Sequence, residues 1–308
     1  MKFRDKLLDA RQPLILFEMV PPVADKAGAL EAAVEDARRV HGRVDAFNLP
    51  EIRDESRGVD RTYKFVPRVE PRTLGGEIYR RLGAEVVLNR CVVCEPDQLA
   101  WWRETQEMAP LSNVILVGGE SSEVRYPGPN VAEAARQILA SGTPATLGGI
   151  TLPNRAQEAE RVRRKQAAGL RFFTTQILFD SNDIVWLIQR LNGLEARVFL
   201  SFAPVSHPRD VQFLRWLGAD VPAELDEFLI QNAEGTSADN DAKAERSLDL
   251  AQRILMDVFD NLPPDPPPLG LNIEHINRRN FASAVRMVER LGHLYSNLLA
   301  ARGSPSRG

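Results

Sequence analysis

Long apolar runs are missing from this 308-residue chain: none approaches the ~20 residues that a membrane-spanning helix needs. The opening residues, Met1-Lys2-Phe3-Arg4-Asp5-Lys6, interleave charged and apolar side chains and lack the apolar core of a secretory leader. A soluble, cytoplasmic protein without a membrane partner is the expectation. Net charge is also small, -3 from 39 basic and 42 acidic residues, so no overall field attracts nucleic acid. Cysteine is nearly absent. Cys91 and Cys94 stand alone as Cys-Val-Val-Cys, a spacing shared by redox pairs and half zinc sites. With no second pair and four scattered histidines, we expect two reduced thiols and no metal. Lysine is scarce too, six in all, and none follows a strand, which disfavours Schiff-base chemistry. There is no Gly-x-Gly-x-x-Gly fingerprint, so a nicotinamide cofactor would be held by loops. No Ser-His-Asp arrangement suggests itself either.

What is present begins with Phe17-Glu18-Met19-Val20-Pro21-Pro22. The apolar Leu14-Ile15-Leu16 before it reads as a buried first strand. Proline has no amide hydrogen for a ladder, so Pro21-Pro22 ends the strand and leaves Glu18 at its carboxyl end. Open α/β sheets and barrels gather their active sites there. A glutamate that caps the next helix is the alternative.

Seven further apolar runs follow, at 45–49, 85–89, 114–117, 145–150, 172–177, 197–202 and 269–273. Amphipathic segments separate them; in the last, 278–291, Phe281, Val285, Val288 and Leu291 recur at helical spacing. Eight strands alternating with helices in about 300 residues predict a single (β/α)8 barrel, a TIM barrel, over 1–301. A doubly wound open sheet is the rival. Extra helices at 223–231 and 242–259 fall between strands seven and eight, with a polar loop at 235–241. A disordered tail is expected over 302–308. Trp101 and Trp102, read as surface apolar residues, fit the interface of a homo-oligomer, and helix packing against the barrel explains at least one of them equally well.

In a barrel, the residues that end each strand share one face. They are Glu18; Asn48 with Glu51; Asn89 and Arg90; Gly118-Gly119-Glu120; Thr151; Gln176; Ser206; and Glu274, His275 and Asn277. The doublets Gly118-Gly119 and Gly148-Gly149 fit either close approach to a ligand or tight packing. A face of acids and amides suits general acid catalysis on a nitrogen heterocycle.

The order of motifs resembles the methylenetetrahydrofolate reductase family from about Leu14 to about Leu291. Phe17–Pro22 matches the family's Phe-Glu-x-x-Pro-Pro. Thr175-Gln176-Ile177-Leu178-Phe179-Asp180 matches its Thr-Gln-x-x-Phe-Asp, and Arg164-Lys165-Gln166-Ala167-Ala168-Gly169 its Arg-Lys-x-x-Ala-Gly. Asn277-Arg278 is a weaker echo. The resemblance implies that Glu18 is the general acid and that Gln176 contacts the pterin. Glu120 stands where the family has an aspartate on the pterin ring. Asn277 and Arg278 join these as substrate-binding candidates.

The departures fall on the family's contacts to flavin adenine dinucleotide (FAD). Thr-Tyr-Gly after strand two becomes Leu49-Pro50-Glu51, and Pro-His-Leu-Thr after strand three becomes Leu88-Asn89-Arg90-Cys91. Arg-Gly-Asp after strand four becomes Gly118-Gly119-Glu120, and Tyr-Pro-Glu-x-His-Pro becomes Leu152-Pro153-Asn154-Arg155-Ala156-Gln157. Lys165 survives. The implied activity is reduction of a reduced folate by NADH or NADPH directly, with FAD doubtful. Glu51, Asn89, Gly118, Gly119 and Lys165 are then the candidates for the nicotinamide side. Arg90, Arg155 and Arg278 are candidates for a 2′-phosphate or a folate glutamate tail. A FAD-dependent reductase, a non-catalytic reduced-folate or pterin binder, and a barrel enzyme for another pterin remain as alternatives.

Overall fold

The structure, a computed structural model, describes residues 3–54, 64–119, 124–230 and 237–303. Eight short, mostly apolar runs form its strands: β1 (Ile15–Met19), β2 (Ala46–Leu49), β3 (Glu85–Cys91), β4 (Asn113–Val117), β5 (Thr146–Thr151), β6 (Phe172–Ile177), β7 (Arg197–Phe202) and β8 (Leu269–His275). Each pairs in parallel with the next, and β8 pairs back onto β1, so the barrel closes in sequence order. Closure rules out the doubly wound rival. α1 (Phe3–Leu8) precedes the barrel. After strands one to seven come α2 (Ala29–Val40), α3 (Pro71–Leu82), α4 (Gln98–Met108), α5 (Val131–Ala140), α6 (Glu158–Ala167), α7 (Asn182–Arg190) and α8 (Pro208–Trp216). The extra helices α9 (Ala223–Ile230) and α10 (Ser237–Asp260) then lead into β8, and α11 (Phe281–Gly303) follows it. This is the expected TIM barrel with added helices between strands seven and eight.

Side chains alternate across each strand, and the two faces separate cleanly. On β1, Ile15, Phe17 and Met19 pack outward among the helices, whereas Leu14 and Leu16 point into the barrel. Val87, Ile115, Phe172 and Phe199 join the interior set. The rings of Phe172 and Phe199 meet edge to face at 5.8 Å and fill the centre. Gly148 on β5 and Gly270 on β8 are glycines for that reason, since a Cβ at either would overlap one of these rings. The Gly148-Gly149 doublet is therefore packing. Leu170 and Phe173 crowd its second member.

Four expectations need correction. α1 went unpredicted; its Phe3 and Leu7 plug the amino-terminal end of the barrel and join the interior cluster. α10 starts at Ser237, inside the stretch expected as a loop, and residues 235–236 lie outside the described residues. α11 continues to Gly303, so the expected tail is helical at Arg302, while 304–308 lie outside the described residues. Trp101 and Trp102 are 7% and 0% exposed, so helix packing against the barrel accounts for both and neither marks a surface interface. Among the described residues, no helix is long and apolar enough to cross a membrane.

Candidate active site

Two residues beyond the apolar interior, the same alternation delivers a polar layer. Leu16 is followed inward by Glu18, Ala46 by Asn48, Val87 by Asn89, Phe199 by Ser201, and Gly270 by Asn272 and then Glu274. These side chains sit under the mouth formed by the carboxyl ends of the strands. Asn48 Nδ2 donates to Glu18 Oε2 at 2.7 Å, and Asn272 Nδ2 lies 3.4 Å from the same oxygen. Asn272 Nδ2 also reaches Glu274 Oε1 at 3.2 Å and Ser201 Oγ at 3.0 Å. Glu18 and Glu274 are register partners on β1 and β8. One amide thus lies between two carboxyl groups. Glu18 Oε1 has no hydrogen-bond partner among the described residues. Asn48 Oδ1 and Asn89 Oδ1 are buried acceptors without one. Such atoms are costly unless a ligand or water supplies a donor.

Burial dominates the acidity here. It pushes Glu18 up to about 7, opposed by the hydrogen bond from Asn272. Glu274 is raised well above the carboxylate range, first by burial and then by the charge of Glu18. A raised carboxyl stabilises the fold below its unfolded value near 4.5 and loses that contribution as pH climbs through the folded value. Both acids act in this direction. The double variant Glu18→Gln/Glu274→Gln should therefore gain stability relative to the parent between pH 5 and pH 8. Glu18 alone accounts for roughly 3 kcal/mol of that gain. Urea unfolding of both proteins at the two pH values reads it; equal pH dependence in the two would contradict the assignment.

The rim on the β2–β4 side is filled by its own side chains. Glu51 Oε2 accepts from the Cys91 amide at 2.7 Å, and Glu51 Oε1 from Arg53 Nη1 at 2.9 Å and Arg90 Nη1 at 3.3 Å. Arg90, a candidate for a 2′-phosphate or a glutamate tail, is 4% exposed; it also pairs with Glu95, meets Gln98 Oε1 at 3.2 Å and stacks 4.9 Å above Trp101. The tight turn 92–94 after β3 brings the Cα atoms of Cys91 and Cys94 to 5.8 Å, and the two are joined in a disulfide. This corrects the expectation of reduced thiols. Gly118 faces Val131, and Gly119 lies under the Tyr126 ring, where a Cβ would overlap it. Glu120 lies outside the described residues.

The remaining candidates are anchored around the mouth. A register irregularity between Thr174 and Ile177 re-aims Gln176, whose Nε2 donates to the Leu217 carbonyl at 2.9 Å while Oε1 accepts from the Ile177 amide. Lys165 reaches from α6 to the Ile150 carbonyl at 2.7 Å, and burial lowers it to about 8. Asn277 donates to Asp210 Oδ1 at 3.0 Å and caps the turn that opens α11. Asp210 also accepts from the Ser206 and His207 amides and from Asn280, so it fastens the loop after β7 to the loop after β8. Arg155 pairs with buried Glu158. Arg278 is exposed in a cleft with Asp36, Arg39 and Phe281, outside the mouth. A second cleft, lined by Phe179, Leu225, Leu250 and Arg253, shares no residue with the polar layer.

Ser201 and Asn272 were not anticipated, and Glu274 was placed on the shared face after strand eight but given no role. The spacing Gly270-x-Asn272-x-Glu274 carries the signal, because it is the inward period of a strand that runs two residues past its last apolar position.

Comparison with known proteins finds no matching family model and no curated protein of similar sequence. Solved structures do match. One is a protein from Clostridium thermocellum, described as uncharacterised and as binding two copies of 5-methyl-5,6,7,8-tetrahydrofolic acid. It is 17% identical, covers 94% of this chain and 99% of its own, and superposes with a TM-score of 0.72. The shared feature at that identity is the fold. The 7,8-dihydropteroate synthase of Vibrio fischeri ES114 matches over 97% of this chain and 96% of its own, at 10% identity and a TM-score of 0.48, too loosely to argue from.

Proposed function

We propose that this chain reduces 5,10-methylenetetrahydrofolate to 5-methyltetrahydrofolate with NADH or NADPH, by direct hydride transfer and without FAD. The observation that carries the reading is Glu18, an acid that burial pushes up to about 7 and whose hydrogen bonds among the described residues all fall on Oε2. General acids work best when their pKa lies near the working pH. Support also comes from the barrel shared with a protein described as binding 5-methyltetrahydrofolate.

The step asked of Glu18 is one proton transfer. Its proton goes to the folate nitrogen that leaves the bridging carbon; that C–N bond breaks with its electron pair on the departing nitrogen. The other ring nitrogen shares its lone pair with the carbon, giving an iminium. NADH or NADPH supplies the hydride that makes the third C–H bond of the methyl group, and an oxidised nicotinamide leaves. Solvent must then return one proton to the site in each cycle. Asn48 holds the Glu18 carboxyl in place, while the unpartnered oxygens of Asn48 and Asn89 suit the N–H groups of a reduced pterin. Alignment of donor and acceptor in the mouth supplies much of the remaining acceleration.

The case against flavin rests on the occupied rim. Glu51, Arg53, Arg90 and Glu95 satisfy one another, Tyr126 lies against Gly119, and Lys165 is spent on a backbone carbonyl. These residues do not supply a free donor set for a flavin ring. The test is oxidation of NADH and of NADPH by the purified protein with methylenetetrahydrofolate, with and without added FAD. Folate-dependent turnover that ignores FAD is expected, whereas turnover only with FAD would return the chain to the flavin-dependent reading. A pure binder would bind reduced folate and leave both nicotinamides untouched.

A further inference from the structure

We infer that Glu274 is the second acid of the site: with Glu18 it forms one carboxyl pair, joined through the Asn272 amide, that shares a proton. The inference rests on the reading of Glu18 as the proton donor. Its basis is geometric. The two residues are register partners on neighbouring strands, both point inward, and the Asn272 Nδ2 atom lies 3.4 Å from one carboxyl and 3.2 Å from the other.

Every described side chain that touches the pair is neutral: Asn48 from β2, Ser201 from β7 and Asn272 from β8. The next titratable group along β8, His275, turns to the opposite face, stacked 6.2 Å from Phe17 and edge-on to Phe281 at 5.2 Å. No lysine or arginine forms an ion pair with either acid among the described residues. The charge that Glu274 meets is that of Glu18. Two half-buried carboxyls joined through one amide and without a cation do not ionise independently, so they lose protons in two separated steps that belong to the pair. Once one proton has left, the other is shared between Glu274 and Glu18. A lone glutamate at position 18 has no second carboxyl with which to share that proton. Glu274 thus acts through Glu18 as a positioning and proton-holding residue.

The experiment has two arms, both on the full chain. Infrared difference spectroscopy of the ligand-free protein at pH 8 reads protonated carboxyl groups directly. The parent should show a buried carboxylic-acid band that Glu274→Gln lacks; a parent without that band overturns the inference, whatever the protein does with folate. The second arm is the pH profile of folate-dependent turnover. In Glu274→Gln the alkaline limb should move down by about one pH unit or more, a roughly tenfold loss at pH 8 set against little change at pH 6. An equal loss at every pH would mean a merely structural role and would also overturn it. The band without any turnover would leave the acid pair standing and defeat the proposed reduction instead.

Discussion

Glu18→Gln should lower folate-dependent NADH or NADPH oxidation by about 10²–10⁴-fold, the usual worth of a positioned general acid. The substitution is nearly isosteric. A glutamine oxygen can still accept the hydrogen bond that Asn48 Nδ2 now gives to Glu18 Oε2 at 2.7 Å, so the mouth keeps its shape. Only the transferable proton is lost. Binding of 5-methyltetrahydrofolate, the product, should therefore stay within a few-fold of the parent, as read by calorimetry. A variant that turns over at the parental rate would mean that Glu18 does not protonate the folate. A variant that loses binding and turnover together would assign Glu18 to ligand contact.

Arg197→Met should destabilise the fold by about 3–5 kcal/mol, the cost of stripping a buried, fully paired cation from its partners. Arg197 is 0% exposed and donates to the carbonyls of Lys6, Leu7, Asp9, Gln12 and Leu269, so it ties α1 to the floor of the barrel. Tyr295 donates to the same Leu269 carbonyl at 2.6 Å, and burial raises the Tyr295 phenol to about 12. Without the guanidinium these carbonyls lose their donor and the Phe3 and Leu7 plug loosens. Urea unfolding measures the loss. A change below about 1 kcal/mol would show that α1 docks by apolar contact alone. Turnover per folded molecule should be unaffected, because this clamp lies at the end of the barrel opposite Glu18.

The residues that were easy to read owe it to simple physics. Parallel strands buried on both faces are apolar throughout, so runs such as 172–177 and 197–202 stand out against amphipathic helices. Glu18 was legible because Pro21-Pro22 marks where its strand must stop. Harder were the residues whose chemistry contradicts their place. Arg197 opens the run read as strand seven, but its place in the core follows only from the backbone carbonyls that converge on it. Glu274 reads as lying past its strand, and Asn272 as an ordinary strand residue, because polar side chains seldom continue a buried strand; here the barrel interior turns polar one layer below its mouth. Arg90 and Glu51 looked available to a ligand. Their pairing depends on β2 and β3 ending side by side, a contact between elements about forty residues apart that local sequence does not encode. The six-residue α1 is too short for a periodic signal.

Direct hydride transfer is tested most squarely by following the hydrogen itself. The purified protein is given methylenetetrahydrofolate and a nicotinamide cofactor carrying deuterium at its transferring position, in ordinary water, and the product is examined by mass spectrometry. Direct transfer predicts that the deuterium is retained in the methyl group of 5-methyltetrahydrofolate. A flavin intermediary would hold the hydrogen on a nitrogen that exchanges with solvent, so a methyl group without deuterium would contradict the account.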